Sequence, residues 1–341
     1  MNNDIRPSIF YLMTIIILCL MQTQCATISA NKPFRAPITR PEWIEKEFTN
    51  TLTWADKSEQ NNGFKRITLE LRDASEQVLT DSDNEMNNPI ILDYYRCSSL
   101  KPQPALLISP ILGGKNWVAS HFARYFSKHG YHCIVVHRPK DITKNTTTLE
   151  QLQKKLHDAV IRDRVALDWL CEQPGINRHA IGSFGVSYGG IKNAILAGVD
   201  NRLKANIFAL AGADMTSLIS NSNHKKLRNI KKIIKNISTP NTTESRIDHL
   251  KSAETDKIQV EPIQFAPYID PSKTLLILAR FDHTVPRANG EILRQALGFP
   301  RTVYIPSGHY SAALFTGMFG LPYLESKTRE FFDKHLKTTS G

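Results

Sequence analysis

Apolar and polar positions change period several times along this chain, and each change marks an element. Phe64-Lys-Arg-Ile-Thr-Leu-Glu-Leu71 alternates at period two, as a strand with one wet face does. Across a polar loop from Asp73 to Asn88, Pro89–Cys97 gives a second strand, and the two read as an antiparallel pair. Continuous apolar runs follow at Pro104–Leu112, Cys133–Pro139, His179–Val186, Ala205–Ala213, Thr274–Asp282 and Arg301–Pro306. Unbroken runs of this kind suit strands buried on both faces of a sheet. Between them the period lengthens to that of a helix. One is predicted near Trp117–Lys128, and a long one over 149–173 carries Leu149, Leu152, Leu156, Val160, Leu167 and Leu170 on one stripe, with Glu150/Lys154 and Asp158/Arg162 pairs assigned to its wet face. Another runs from Pro286 to Leu297, with proline suited to the first turn, and Ser311–Leu336 closes the chain as a helical region broken around Gly320-Leu-Pro322. Strand and helix alternating in this order specify an α/β fold, a mostly parallel sheet of eight strands with helices on both faces.

Two stretches stand outside that alternation. Residues 31–63 read as an N-terminal arm with a short helix from about Glu42 to Asp56 and a polar Asn61-Asn62-Gly63 turn. Between Asp214 and about Ile258 lies an insertion, taken as a helical cap over 215–258. Within it, Leu227, Ile230, Ile233, Ile234 and Ile237 form one stripe, ringed by Lys225, Lys226, Arg228, Lys231, Lys232 and Lys235. A helix of this kind either packs its stripe on the core with its lysines solvated, or lies on an anionic membrane through residues 224–237.

Composition narrows the class. In 341 residues, 41% hydrophobic and 22% charged, the chain has the make-up of a globular protein, not of a disordered or multispanning one. Ile9–Met21 is apolar and uncharged, the length of a signal-peptide core and shorter than a membrane span, and Ala30 offers a cleavage site before Asn31. Residues 1–30 are therefore expected to direct export, to a periplasm or outside the cell, with an uncleaved membrane anchor as the alternative. Cys97, Cys133 and Cys171 remain beyond that segment, too few for a disulfide framework. Buried thiols are expected in the two strands, or a single bridge between Cys97 and Cys133. Glycosylation acceptor patterns begin at Asn145, Asn236 and Asn241. The net charge of +11 would suit an anionic partner, but much of it lies in the insertion, and no interleaved aromatics accompany it as nucleic-acid binding would require.

Chemistry concentrates where three apolar runs end. Gly185-Val186-Ser187-Tyr188-Gly189 follows one of them and precedes helix-compatible residues, so Ser187 sits on a sharp strand-to-helix turn that exposes its hydroxyl. Asp282 ends the run from Thr274, and His309 follows Gly308 after the run from Arg301. Asp214, at the end of the run from Ala205, is the rival acid, and His283 is read as a loop histidine. Pro104–Leu112 runs into Gly113-Gly114, a loop in which backbone would approach a substrate closely.

Serine, aspartate and histidine in this order, with Asp163–Leu170, Gly175–Arg178 and Gly182–Gly190, resemble the serine α/β-hydrolases of the dienelactone-hydrolase and prolyl-oligopeptidase-like branch over roughly Phe64 to Leu336. The resemblance implies the α/β-hydrolase fold and a triad of Ser187, His309 and Asp282. It also implies an oxyanion hole formed by the Tyr188 N–H and a second N–H from Ile111, Leu112 or Gly113, with Leu112 the expected donor. Dienelactone hydrolases use cysteine where this chain has Ser187, and no propeller precedes the hydrolase region, so a general carboxylic esterase is the implied activity. Thioesters, a lipid substrate at a membrane surface, or a non-catalytic binding role are the alternatives. The implied chemistry uses no metal and no organic cofactor, only a small-molecule ester.

Overall fold

Nine strands make one open sheet in the computed structural model, which describes residues 51–61, 63–73, 89–113, 116–138, 143, 145–238 and 258–337. They are β1 (Thr51–Asn61), β2 (Phe64–Asp73), β3 (Ile90–Cys97), β4 (Gln103–Ser109), β5 (His132–Val136), β6 (Ile176–Val186), β7 (Leu203–Ala209), β8 (Thr274–Ala279) and β9 (Arg301–Ile305). Their spatial order is β1-β2-β3-β5-β4-β6-β7-β8-β9. The first three strands pair antiparallel, β3 meets β5 antiparallel, and every pairing from β5 to β9 is parallel. Eight of the strands are the expected ones. The ninth, β1, occupies residues where a helix ending near Asp56 is expected. Gly63, at φ +97°, lets the polar turn close a tight hairpin, so Asn61 faces Phe64 and residues 51–61 pair along β2. Tertiary pairing overrides the local helical pattern there. The expected signal segment 1–30, the rest of the arm and most of the insertion beyond residue 238 lie outside the described residues.

Helices α1 (Trp117–Lys128), α2 (Leu149–Glu172), α3 (Tyr188–Val199), α4 (Met215–Asn221), α5 (Arg228–Ser238), α6 (Arg287–Ala296) and α7 (Tyr323–Phe332) complete the scaffold. Thr148 starts α2 by accepting the Gln151 N–H on its hydroxyl at 3.2 Å. The sheet buries both faces. On one, Leu92, Leu107, Ile134 and Phe208 pack under α2, α3 and α6; on the other, Phe122, Phe126, Phe184 and Phe332 pack between α1, α7 and the sheet. Each such side chain contributes about 1.5–3 kcal/mol by leaving water. Asp158 and Arg162 are buried on α2, contrary to the wet face expected for them. The segment entering β3 covers that face, since the Arg162 guanidinium donates to the Pro89 carbonyl at 2.8 Å, while Asp158 pairs with Lys154 at 2.8 Å. Cys97 and Cys133 are buried free thiols, and burial pushes the Cys97 thiol up to about 11. Among the described residues no helix is long and apolar enough to cross a membrane.

Strand order decides where a site forms. The chain goes from β4 to β5 on one side and returns to β6 on the other side of β4, so the loops after β4 and β6 leave the carboxyl edge as neighbours with the winding reversed between them. A crevice at such a switch point is where open α/β sheets bind ligands.

Candidate active site

Ser187 stands in that crevice, on the one-residue turn between β6 and α3, with φ 57° and ψ −124°. A non-glycine residue holds this conformation only where its surroundings fix it. Its N–H donates to the Ala209 carbonyl at 2.8 Å and its carbonyl accepts the Ile191 N–H at 3.0 Å, which ties the turn to β7 and to α3. Two glycines make room. A Cβ on Gly185 would stand 2.3 Å from the Gly189 carbonyl oxygen, and one on Gly189 would stand 2.3 Å from the Ser109 carbonyl oxygen. No side chain fits at either place, so the Gly-x-Ser-x-Gly spacing follows from contact distances.

Asp282 and His309 arrive from the ends of β8 and β9. The imidazole Nε2 lies 3.0 Å from the Ser187 Oγ, and Nδ1 lies 2.7 Å from the Asp282 Oδ2. The carboxylate is held from its other side, because Oδ1 accepts the Thr284 and Val285 N–H groups at 2.8 and 2.9 Å. Both oxygens thus have partners in a buried position. Asp214, the rival acid, is elsewhere: at φ 59° it caps α4, accepting the Ser217 N–H at 3.1 Å. His283 is an exposed loop residue. Ser187, Asp282 and His309 thus meet, and of the two acids that the sequence leaves open it is Asp282, not Asp214, that reaches the imidazole.

Two cavities adjoin Ser187. The larger, about 360 Å³, runs among Trp117, Phe122, Phe184, Ile277, His309 and Leu324. The smaller, about 50 Å³, is walled by Leu112, Tyr188, Ile191, Leu218, Ile219 and Thr284. Leu112 and Tyr188, the two residues expected at an oxyanion hole, thus share one cavity wall with Ser187. The Leu112 carbonyl accepts from the Arg138 guanidinium, which fixes that loop.

Comparison with known proteins bears on the fold. No protein-family model and no curated protein sequence matches the chain. Solved structures do. An acetyl xylan esterase from Paenibacillus sp. R4 is similar at a TM-score of 0.61 and 14% identity, over 87% of this chain and 97% of its own. Acetyl xylan esterase 1 from Thermoanaerobacterium sp. JW/SL YS485 gives 0.58 and 11%, over 83% and 87%. The alpha/beta hydrolase GrgF from Penicillium sp. sh18 gives 0.50 and 16%, over 80% and 99%. The chain has the α/β-hydrolase fold.

Within that α/β-hydrolase fold, two supports of the candidate site escaped the sequence reading. Beneath it, Lys192 on α3 pairs with Asp163 on α2 at 2.6 Å, and the Ser109 hydroxyl at the end of β4 donates to the Asn193 side chain at 2.6 Å and lies 3.4 Å from Asp163. Asp163 and Lys192 are 0% and 5% exposed, and burial raises the Asp163 carboxyl above its ordinary range against the opposing pull of Lys192. The signal was in the pattern: Asp163 falls on the stripe of Val160, Leu167 and Leu170, and Lys192 is the sole charge in α3. The second support joins cap and acid loop. Asn223 donates its N–H to the His283 carbonyl at 2.9 Å and accepts the Thr284 hydroxyl at 2.8 Å. The cap's apolar stripe is spent on the core, with Ile230 and Ile234 buried, while Lys225, Lys226, Arg228, Lys232 and Lys235 are exposed.

Proposed function

We propose that the protein is a serine hydrolase of carboxylic esters. The observation that carries this reading is one imidazole within hydrogen-bond distance of both the Ser187 hydroxyl and the Asp282 carboxylate. His309 takes the Ser187 proton as Oγ attacks the ester carbonyl carbon, and Asp282 fixes the imidazole tautomer and stabilises the imidazolium. The oxyanion forms against the Tyr188 N–H and an N–H of the Leu112 loop, each such donor lowering the barrier by about 3–4 kcal/mol. His309 then protonates the departing alkoxide, leaving an acyl-serine. A water molecule, deprotonated by the same imidazole, attacks that carbonyl, and the acid leaves as Ser187 recovers its proton. Thioesters would pass through the same steps.

Two neighbours are named for acetyl xylan, yet the walls of both cavities here are mainly apolar and offer a sugar few partners. The exposed lysines of α5 support a further element, peripheral contact with an anionic membrane that carries ester substrates; because the apolar stripe is buried, the contact would be electrostatic. The test of the main reading is turnover of a p-nitrophenyl ester. Ser187→Ala is expected to lower it by several orders of magnitude with the fold intact; a folded variant that keeps wild-type turnover overturns the reading.

A further inference from the structure

The two cavities beside Ser187 differ in which parts of the machinery they share, and that difference assigns the two halves of an ester, given the serine-hydrolase reading above. In the tetrahedral adduct the carbon on Ser187 Oγ bears the oxyanion, the acyl chain and the leaving oxygen. The leaving oxygen must come within hydrogen-bond reach of His309 Nε2, because that nitrogen gives it its proton. His309 lines the larger cavity, together with Tyr310, Ala312 and Ala313 from the segment that follows it. None of that segment lines the smaller cavity, which has Tyr188, Thr284 and Val285 in its wall instead, while Leu112 and Ser187 line both.

We infer that the larger cavity is the leaving-group pocket and that the preferred substrates are short-acyl esters of apolar alcohols. Volume fits both halves. The smaller cavity, about 50 Å³, suits a short acyl chain, and the larger, about 360 Å³, suits a much bulkier group. Chemistry fits as well. Phe122, Phe184, Ile277 and Leu324 are buried residues lining the larger cavity, and its two threonines spend their hydroxyl protons on backbone: Thr316 donates to the Ala313 carbonyl at 2.6 Å and Thr328 to the Leu324 carbonyl at 2.7 Å. A polyhydroxylated alcohol would bury hydroxyls with few partners, whereas an alkyl or aryl alcohol loses nothing on entering.

The experiment uses the full chain and two ester series: acetates of linear alcohols from ethanol to octanol, and ethyl esters of linear acids from acetic to octanoic. The expected result is a kcat/KM that climbs about fourfold per methylene along the alcohols until the cavity is filled, and falls beyond propionate along the acids. A rise along the acids with a flat alcohol series overturns the assignment, as do two flat series, while leaving the hydrolase reading intact. Ala313→Phe narrows the larger cavity and is expected to lower the octyl-to-ethyl acetate ratio of kcat/KM at least tenfold. An unchanged ratio in a variant that still reacts with a small fluorophosphonate counts against the assignment. If Ala313→Phe does not fold, Met318→Phe in the same wall serves with the same expected outcome. Should the wild-type protein neither hydrolyse any ester nor react with the fluorophosphonate, the hydrolase reading fails and this inference fails with it.

Discussion

Two clusters of hydroxyl, acid and base share the turn between β6 and α3, and they differ in access. Ser187, His309 and Asp282 open onto a cavity of about 360 Å³. Ser109, Lys192 and Asp163 lie sealed under the same turn, with Lys192 and Asp163 at 5% and 0% exposure. Residue type does not separate the two, since each pairs a carboxylate with a basic group and a serine. What separates them is whether a reacting atom can arrive. The open cluster has a cavity beside the hydroxyl; in the sealed one Asp163 pairs with Lys192 and Ser109 with Asn193, so that β4, α2 and α3 are bound together beneath Ser187. Buried pairs of the second kind add little net stability over an apolar replacement but cost much when halved.

Substitution separates the clusters by readout. His309→Gln is expected to lower ester turnover on the order of a millionfold with little change in the unfolding midpoint; a large loss of stability at unchanged turnover would exchange the roles of the clusters. Lys192→Met leaves Asp163 buried without its cation and is expected to cost about 3–5 kcal/mol in denaturant unfolding, while adding Asp163→Leu should restore most of it. Full stability in Lys192→Met with turnover abolished would move Lys192 into the chemistry.

His132, a buried base in neither cluster, sharpens the comparison. Burial holds its imidazole down at about 4, against an ordinary 6.5, and Nδ1 lies 3.0 Å from the Tyr94 hydroxyl. Between those values the unfolded chain binds a proton that the folded chain does not. Stability is therefore fully present above about pH 6.5 and declines as pH falls to about 4, by about 3 kcal/mol in all. Unfolding free energies measured from pH 7 to 4 should show that slope, and His132→Phe should flatten it. The smallest effect expected is at the surface. Changing Lys225, Lys226, Arg228, Lys232 and Lys235 to Glu should reduce co-sedimentation with anionic vesicles at low salt, and an unaltered bound fraction would remove membrane contact from the account.

How much of this was legible in the sequence follows from how each group is carried. Ser187, Asp282 and His309 each sit at the end of an apolar run, where strand period stops and a loop begins, so pattern alone places them at one edge of a sheet. Asp163 and Lys192 lie inside helices, where a charge is read by default as solvated, and only their position among apolar neighbours betrays them. Helical period places Asp158 and Arg162 in water because it reports one helix at a time; the chain segment that bonds to Arg162 comes from residue 89, distant in sequence. The hairpin of β1 and β2 was missed for a related reason. Its turn reads only as polar, and what determines the strand is the partner on the other side of the turn. The cap stripe of Leu227, Ile230, Ile233 and Ile234 was readable, and the structure packs it against the core.

The central claim is that Ser187 is a nucleophile activated by His309. Its most direct test is mass-spectrometric mapping of the adduct formed with a fluorophosphonate on the intact protein. The account predicts one phosphonyl group on the peptide containing Ser187, and its loss in His309→Gln. A folded protein that takes up no label, or that carries the label on another residue, would contradict it.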